Sequence, residues 1–206
     1  MLKIWGRTNS LNVQKVMFTV GELGLPHERI EAGGRFGLVG EDWFKRMNPN
    51  SRVPVIDDDG FILWESHAIT RYLAAKHSAG KLYPTDLQER ALAEKWMDWA
   101  QSMVAGPLFA VFFPLIRQPA AQRNQAQVRQ GTEACIPLYA MLDAALAGQD
   151  WLVGGRLTIA ELGVGPFLHR WMALPMQRPA MANLEAWYKR LMERPAFREH
   201  VALPLS

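Results

Sequence analysis

The chain has 206 residues, of which 49% are hydrophobic and 21% are charged, the balance of an ordinary globular protein. Its net charge of +3 is too small to indicate binding to nucleic acid or to a membrane surface. The single cysteine, Cys135, excludes an intramolecular disulfide framework and is most simply a small buried hydrophobe. The N-terminus lacks the apolar stretch of a signal peptide, and no run of about 18 apolar residues predicts a membrane span. We therefore expect a cytoplasmic protein.

The first part of the sequence predicts strands and helices in alternation. Apolar residues alternate or recur at helical spacing, and Gly24 is the expected C-cap of the first helix. The predicted elements are a strand at 2–5, a helix at 13–23, a strand at 27–30, a short helix at 41–47, two strands around a turn at 57–60, and a helix at 66–77. The order β-α-β-α-β-β-α is typical of a thioredoxin-like α/β domain.

The second part of the sequence predicts only helices. Tyr83-Pro84-Thr85-Asp86 marks a boundary, so we predict one domain at 1–82 and an all-α domain at 87–206. Thr158 and Glu161 have the spacing of a capping box, which opens a buried helix. The predicted helices are 87–115, kinked or ended by Pro107 and Pro114, then 120–146, interrupted by Pro137, the helix that Thr158 caps, and 183–192.

A proline near the start of the third strand, Pro54, cannot donate to a β ladder. The backbone of Val53 is therefore expected to face a groove, where it could pair with a short extended peptide. The next helix begins at Ser66, where free backbone N–H groups suit a carboxylate, and Glu65 beside it suits an ammonium group. Each residue also has a simpler explanation, Ser66 as an N-cap and Glu65 as a solvated charge. Together they suit a small peptide with an amino-acid head group.

The stretch R-V-P-V-I followed by E-S-H-A-I resembles the glutathione-binding half of the glutathione transferase family. The stretch W-L-V-G-G-x-L-T-I-A-E resembles that family's C-terminal capping motif. The resemblance implies that Val53, a cis Pro54, Glu65 and Ser66 bind glutathione. Arg52 lies where theta-like relatives carry a basic residue near the glycyl carboxylate. Glutathione as co-substrate, no metal, and a homodimer are further implications of the family.

The loop before the first helix resembles theta-like and bacterial nu-like transferases in the pattern W-G-R-x-x-S-x-N-V-x-K-V. This resemblance implies that Ser10 donates to the glutathione thiolate and that Asn12 is a second donor. A catalytic tyrosine or cysteine has no counterpart in this loop. The alternative role for both residues is N-capping, but only one of them can be the cap.

We expect an enzyme that adds the glutathione thiolate to a small electrophile, as in detoxification, and the resemblance also leaves two alternatives. One is a glutathione-dependent disulfide reductase or peroxidase. The other is a non-catalytic glutathione-binding interaction module, because a fold does not by itself imply a function. Residues that could line a pocket in the second domain are Trp99, Met103, Pro107, Phe109 and Phe112.

Overall fold

The computed structural model describes all 206 residues and contains one mixed sheet of four strands in the order β2-β1-β3-β4. β1 runs parallel to β2 and antiparallel to β3, with Ile4 opposite Ile56, and β4 pairs antiparallel with β3. The strands are β1 Leu2–Trp5, β2 His27–Ile30, β3 Val55–Asp58 and β4 Phe61–Trp64. The predicted positions of the four strands along the chain are confirmed.

Helices make up most of the remaining structure. The helices are α1 Leu11–Leu23, α2 Asp42–Met47, α3 Ser66–Ser78, α4 Leu87–Trp99, α5 Ala105–Phe112, α6 Gln125–Ala145, α7 Ile159–Ala173, α8 Ala182–Glu193 and α9 Pro195–His200. The sheet and α1 to α3 come first, and only helices follow, which confirms the predicted fold class. The predicted division into domains 1–82 and 87–206 falls between α3 and α4, and its limits stay a prediction.

Helix α1 lies between the two halves of the molecule. Its C-cap, Gly24, adopts the left-handed conformation with φ of 61°, as its position before a proline predicts. Every residue from Val13 to Val20 is buried. Val13 and Val16 pack in the core beneath the sheet, whereas Phe18 belongs to the larger core of the helical half. Because α1 also contacts α3, α7 and α9, its position is set by both halves.

The prolines in the long helix after α3 do not end it. We predicted a kink or an end at Pro107 and Pro114, and the chain stays helical from Leu87 to Arg117. Two wider π-helical turns, at Ala100–Val104 and Phe113–Arg117, interrupt the α-helical spacing. A proline ring collides with the carbonyl four residues earlier in a regular α-helix, and a π turn relieves such crowding without ending the helix.

Two further helices differ from the prediction. α6 begins at Gln125 rather than near residue 120, because the side chain of Asn124 caps it by accepting from the Gln127 N–H at 3.1 Å. Pro137 stays inside α6, which continues through it. The predicted last helix is followed by α9, which begins at Pro195, a residue suited to the first turn because its missing N–H would have had no partner there.

The helix from Leu87 to Arg117 also corrects the expectation that no segment is long and apolar enough to cross a membrane. This helix is long and apolar enough to cross a membrane by length and composition alone. Only 33% of its most apolar 18-residue window is buried in the structure. Within the structure, α4 packs against α7 and α5 packs against α6. Core helices of globular proteins meet the same criterion, so a single helix of this kind is weak evidence for a membrane span.

The capping box at the start of α7 is confirmed. Glu161 is completely buried, and its carboxylate accepts from the Leu152 N–H at 2.8 Å and from the Thr158 N–H at 2.8 Å. The Thr158 hydroxyl in turn accepts from the Ala160 N–H at 3.2 Å. Burial raises the pKa of Glu161 to about 7, against the opposing effect of these hydrogen bonds. The Glu161 carboxylate thus accepts hydrogen bonds from two separate backbone segments.

We expect Glu161→Ala to lower the free energy of unfolding by about 2–6 kcal/mol, because it leaves the N–H groups of buried Thr158 and half-buried Leu152 without acceptors at about 1–3 kcal/mol each. Urea unfolding followed by circular dichroism measures the loss. Glu193→Ala, at an exposed position of α8, is the matched control and should stay within about 0.5 kcal/mol of the wild type. Equal stability of the two variants would contradict a structural role for the box.

Candidate active site

A cavity of about 570 Å³ opens between the two halves of the molecule. Its walls come from the loop before α1, from residues 33–34 and 50–53 of the sheet half, and from α5 and α7 of the helical half. Among the residues predicted from sequence, the cavity brings together Ser10, Asn12, Arg52, Val53, Phe109 and Phe112. Its lining does not include Trp99, Met103 or Pro107, which were predicted as pocket residues.

Ser10 occupies the N-cap position of α1, but its side chain does not cap the helix. Its backbone accepts from the Gln14 N–H at 2.9 Å and donates to the Arg7 carbonyl at 3.2 Å, so the loop and the helix hold it in place. The side chain is 8% exposed, and its hydroxyl has no hydrogen-bond partner within the protein. Since the first N–H groups of a helix also lack partners, free donors and a free hydroxyl meet at this point of the cavity.

The side chain of Asn12 is oriented by a buried lysine. Lys15 Nζ donates to Asn12 Oδ1 at 3.1 Å and to Gln101 Oε1 at 3.0 Å. Because an ammonium group can only donate, the amide oxygen of Asn12 must face Lys15. The amide nitrogen of Asn12 is therefore left as a donor beside the cavity, the role that the sequence resemblance implies for it.

Lys15 is the residue of this region that sequence reasoning missed. It is completely buried, and its ammonium group lies 4.5 Å from the centroid of the Phe167 ring. Both hydrogen-bond partners are neutral amides. Burial lowers the pKa of Lys15 well below its usual value, Glu65 raises it and Arg170 lowers it further. The available signal was a lysine between Val13 and Val16, on a face that the apolar spacing predicts to be buried.

The Val53–Pro54 peptide bond is cis, as the family resemblance implies. β3 begins only at Val55, so Val53 lies outside the strand ladder, where it lines the cavity. The Arg52 carbonyl accepts from Asn48 Nδ2 at 2.8 Å, which holds the turn before the strand, while the Arg52 side chain is exposed. The backbone of this segment therefore faces open space, as Pro54 predicts.

Glu65 and Ser66 lie at the start of α3, outside the lining of that cavity. Glu65, rather than Ser66, is the N-cap residue, and it adopts a φ of 73° that is unusual for a residue with a side chain. Such backbone conformations concentrate at functional sites. Glu65 is exposed, whereas Ser66 is 4% exposed and is the first helical residue. The N-cap explanation for Ser66 is therefore wrong, and its backbone N–H group has no intrahelical partner.

Comparison with known proteins identifies both halves. Residues 9–76 match the family model "Glutathione S-transferase, N-terminal domain", and residues 125–190 match "Glutathione S-transferase, C-terminal domain". The chain is 40% identical to glutathione S-transferase GstB of Escherichia coli (strain K12), over 100% of both chains. It is 27% identical to glutathione S-transferase 4 of Zea mays, over 95% of this chain and 89% of the relative.

A solved structure is equally similar. The theta class glutathione S-transferase from Xanthomonas axonopodis pv. citri, with glutathione bound, is 40% identical and superposes with a TM-score of 0.96, covering 100% of this chain and 99% of the other. The apo form of that theta class enzyme superposes with a TM-score of 0.87. The family models cover most of the chain and the relatives match it over its full length, so the chain belongs to the glutathione S-transferase family.

Proposed function

We propose that this protein is an enzyme that conjugates the thiolate of glutathione to a small electrophile, with Ser10 and Asn12 as the catalytic residues. The observation that carries the proposal is the free Ser10 hydroxyl at the N-terminus of α1, inside the cavity between the two halves. The names of the relatives support it.

Glutathione would bind in an extended conformation along the segment at Val53. The backbone of Val53, which lies outside the strand ladder, would pair with the peptide. Its γ-glutamyl group would be held by the exposed Glu65 carboxylate and by the N–H and hydroxyl groups of the buried Ser66. The exposed Arg52 guanidinium would take the glycyl carboxylate. These contacts would direct the cysteinyl sulfur towards Ser10.

The donors at the start of α1 are sufficient to ionise the thiol. A free thiol has a pKa of about 8.5, and lowering it by two units takes about 2.7 kcal/mol. A hydrogen bond to a charged group contributes about 1.5–3 kcal/mol, and a helix N-terminus contributes up to about 1 kcal/mol. Ser10 and the α1 terminus together therefore cover the requirement, with the Asn12 amide as a second donor. The proton would leave to solvent, and the thiolate would attack the electrophile beside α5.

We expect Ser10→Ala to raise the pKa of the bound glutathione thiol by about 1–2 units, because it removes one hydrogen bond to the thiolate. Ultraviolet absorbance of the thiolate as a function of pH measures this value. Asn12→Ala should produce a smaller rise in the same direction. Thr8→Ala, at an exposed position of the same loop, is the control and should leave the pKa unchanged.

The thiol pKa and a turnover assay together distinguish the transferase from the two alternative functions. Glutathione that binds the wild type with an unshifted thiol pKa would contradict the proposal and favour a non-catalytic binding module. Turnover of a glutathione mixed disulfide, without conjugation of an electrophile, would favour the reductase or peroxidase alternative. A larger effect of Asn12→Ala than of Ser10→Ala would make Asn12 the principal donor.

Lys15 is proposed as a positioning residue that acts through Asn12. Lys15→Met removes the hydrogen bond to Asn12 but keeps an unbranched side chain in the buried space. We expect the thiol pKa of bound glutathione to rise by about one unit, which corresponds to about 1.4 kcal/mol. The free energy of unfolding should be unchanged or higher, because an isolated buried ammonium is costly. A less stable variant with unchanged thiol pKa would contradict the proposal, and Lys189→Met is the exposed control.

We also propose that the protein is a cytoplasmic homodimer, in which the sheet domain (1–82) of one copy meets the helical domain (87–206) of the other, and that it serves detoxification. Large exposed apolar side chains on both halves support the dimer. Phe61 in β4 is 49% exposed, Leu92 in α4 is 49% exposed, and Leu87 at the start of α4 is 73% exposed. Burying such side chains would stabilise an interface.

We expect the wild type to sediment as a dimer and Leu92→Glu to shift the equilibrium towards the monomer, because a charge would then be buried in an apolar contact. Analytical ultracentrifugation at several protein concentrations measures the shift. Met141→Glu, at an exposed apolar position on α6, is the control. A wild type that sediments only as a monomer would contradict the dimer.

A further inference from the structure

The cavity that contains Ser10 also contains arginines with no acidic partner. Arg7, Arg52, Arg117 and Arg170 line it, and no aspartate or glutamate does. None of these four arginines forms an ion pair with a carboxylate, whereas Arg29, Arg71, Arg156, Arg190 and Arg194 do. The cavity therefore concentrates positive charge without an internal carboxylate to balance it.

Contacts within the helical half hold two of these arginines close to one aromatic ring. The Arg170 guanidinium lies 4.0 Å from the centroid of the Phe112 ring, and the Arg117 guanidinium lies 5.5 Å from the same centroid. Arg170 Nη2 also donates to the Asn9 carbonyl at 3.2 Å, which ties α7 to the loop before α1. The two positive groups are therefore placed by packing and by neutral hydrogen bonds, without a counter-ion.

The electrostatic consequence is an unfavourable accumulation of positive charge. Burial, with the charges of Arg117 and Arg7 as smaller causes, lowers the pKa of Arg170 to about 9. Burial also lowers the pKa of Arg7, and Arg117 adds to this effect. Arg170 stays protonated at neutral pH, since a pKa of about 9 is still above 7. An anion in the cavity would relieve the repulsion, because a buried charge without a partner is costly.

Glutathione does not account for all of this charge. In the proposed binding mode, Arg52 takes the glycyl carboxylate, Glu65 and Ser66 take the γ-glutamyl group, and the thiolate lies at Ser10. Arg117 lies at the end of the π-helical turn that follows α5. It belongs to the wall formed by the helical half, where the second substrate would lie. Next to it stand the exposed rings of Phe109 and Phe113, whose centroids are 5.4 Å apart. The rings of Phe109 and Phe113 thus form an apolar surface beside the positive charge of Arg117.

We propose that the second substrate is an anionic electrophile, whose carboxylate binds Arg117 and Arg170 while its apolar body lies against Phe109 and Phe113. The inference rests on the proposed function and specifies its substrate class. In the reaction, the glutathione thiolate attacks the carbon that carries the leaving group. The carbon–sulfur bond forms, the bond to the leaving group breaks, and the leaving group departs with the electron pair. The thiol proton has already been lost to solvent.

The test compares para-(chloromethyl)benzoate with its methyl ester, which have the same reacting carbon and differ in charge. We expect the wild type to have a kcat/KM at least about tenfold higher for the acid, after subtraction of the rate without enzyme, because a guanidinium–carboxylate contact is worth a factor of ten or more. This preference should decrease at high ionic strength. Arg117→Met should lower kcat/KM for the acid about tenfold and leave that for the ester within about twofold.

Two controls keep the outcomes distinct. Arg129→Met removes an exposed arginine outside the cavity and should change neither rate. Conjugation of the ester shows that Arg117→Met is folded. Arg7→Met is a second variant among the arginines that line the cavity. Conjugation of both substrates without preference for the acid would overturn the substrate class and leave the transferase function standing. An equal loss for both substrates in Arg117→Met would also overturn it, because the arginine would then act on glutathione.

Failure of the proposed function has a different signature. Neither substrate would be conjugated above the rate without enzyme, and the thiol pKa of bound glutathione would be unshifted in the wild type. That result would overturn the transferase proposal and the substrate class with it. A shifted thiol pKa with turnover of the ester only would contradict the substrate class alone.

Discussion

The structure depends on the burial of α1 between the sheet and the helical half. Every residue from Val13 to Val20 is enclosed, with one face in the core beneath the sheet and Phe18 in the core of the second half. A helix packed on all sides cannot shift along its axis without losing contacts in both cores. Its N-terminus therefore holds a fixed position, and Ser10 is held with it at the mouth of the cavity. The geometry proposed for thiol activation follows from this packing.

The residues that line the cavity carry positive but no negative charges, which favours the binding of anions. Lys15 is buried with only neutral amide partners, and Arg7, Arg117 and Arg170 line the cavity without a carboxylate. The nearest acidic group of functional interest is Glu65, which lies outside the lining and suits an ammonium group. A positive environment favours a thiolate over a thiol, and it also favours a second substrate that brings its own negative charge. The two proposals thus have one physical origin.

The sequence and the structure agree where a single local interaction decides the outcome. Gly24 ends α1 because glycine tolerates positive φ, and the Thr158–Glu161 box opens α7 because its partners are three residues apart. They disagree where a proline was expected to end a helix. Pro107 and Pro114 are accommodated in a continuous helical segment, because packing between long helices outweighs the loss of individual hydrogen bonds and π turns relieve the crowding. A helix-breaking residue in the sequence carries no information about that packing energy.

Local patterns were thus sufficient to identify the succession of strands and helices in the first half and the all-helical second half. Ser10 and Asn12 were singled out by a short motif that resembles those of a known family, and their roles stay proposals. Each of these is a matter of periodicity or of short motifs within one stretch of chain. The grouping of Lys15 with Gln101, and of Arg7 with Arg117 and Arg170, could not be obtained in that way. These residues come together because α7 packs against α1 and against the helix from Leu87 to Arg117, and spacing along the chain carries no information about such packing. The helices of the second half therefore determine which charges surround the cavity.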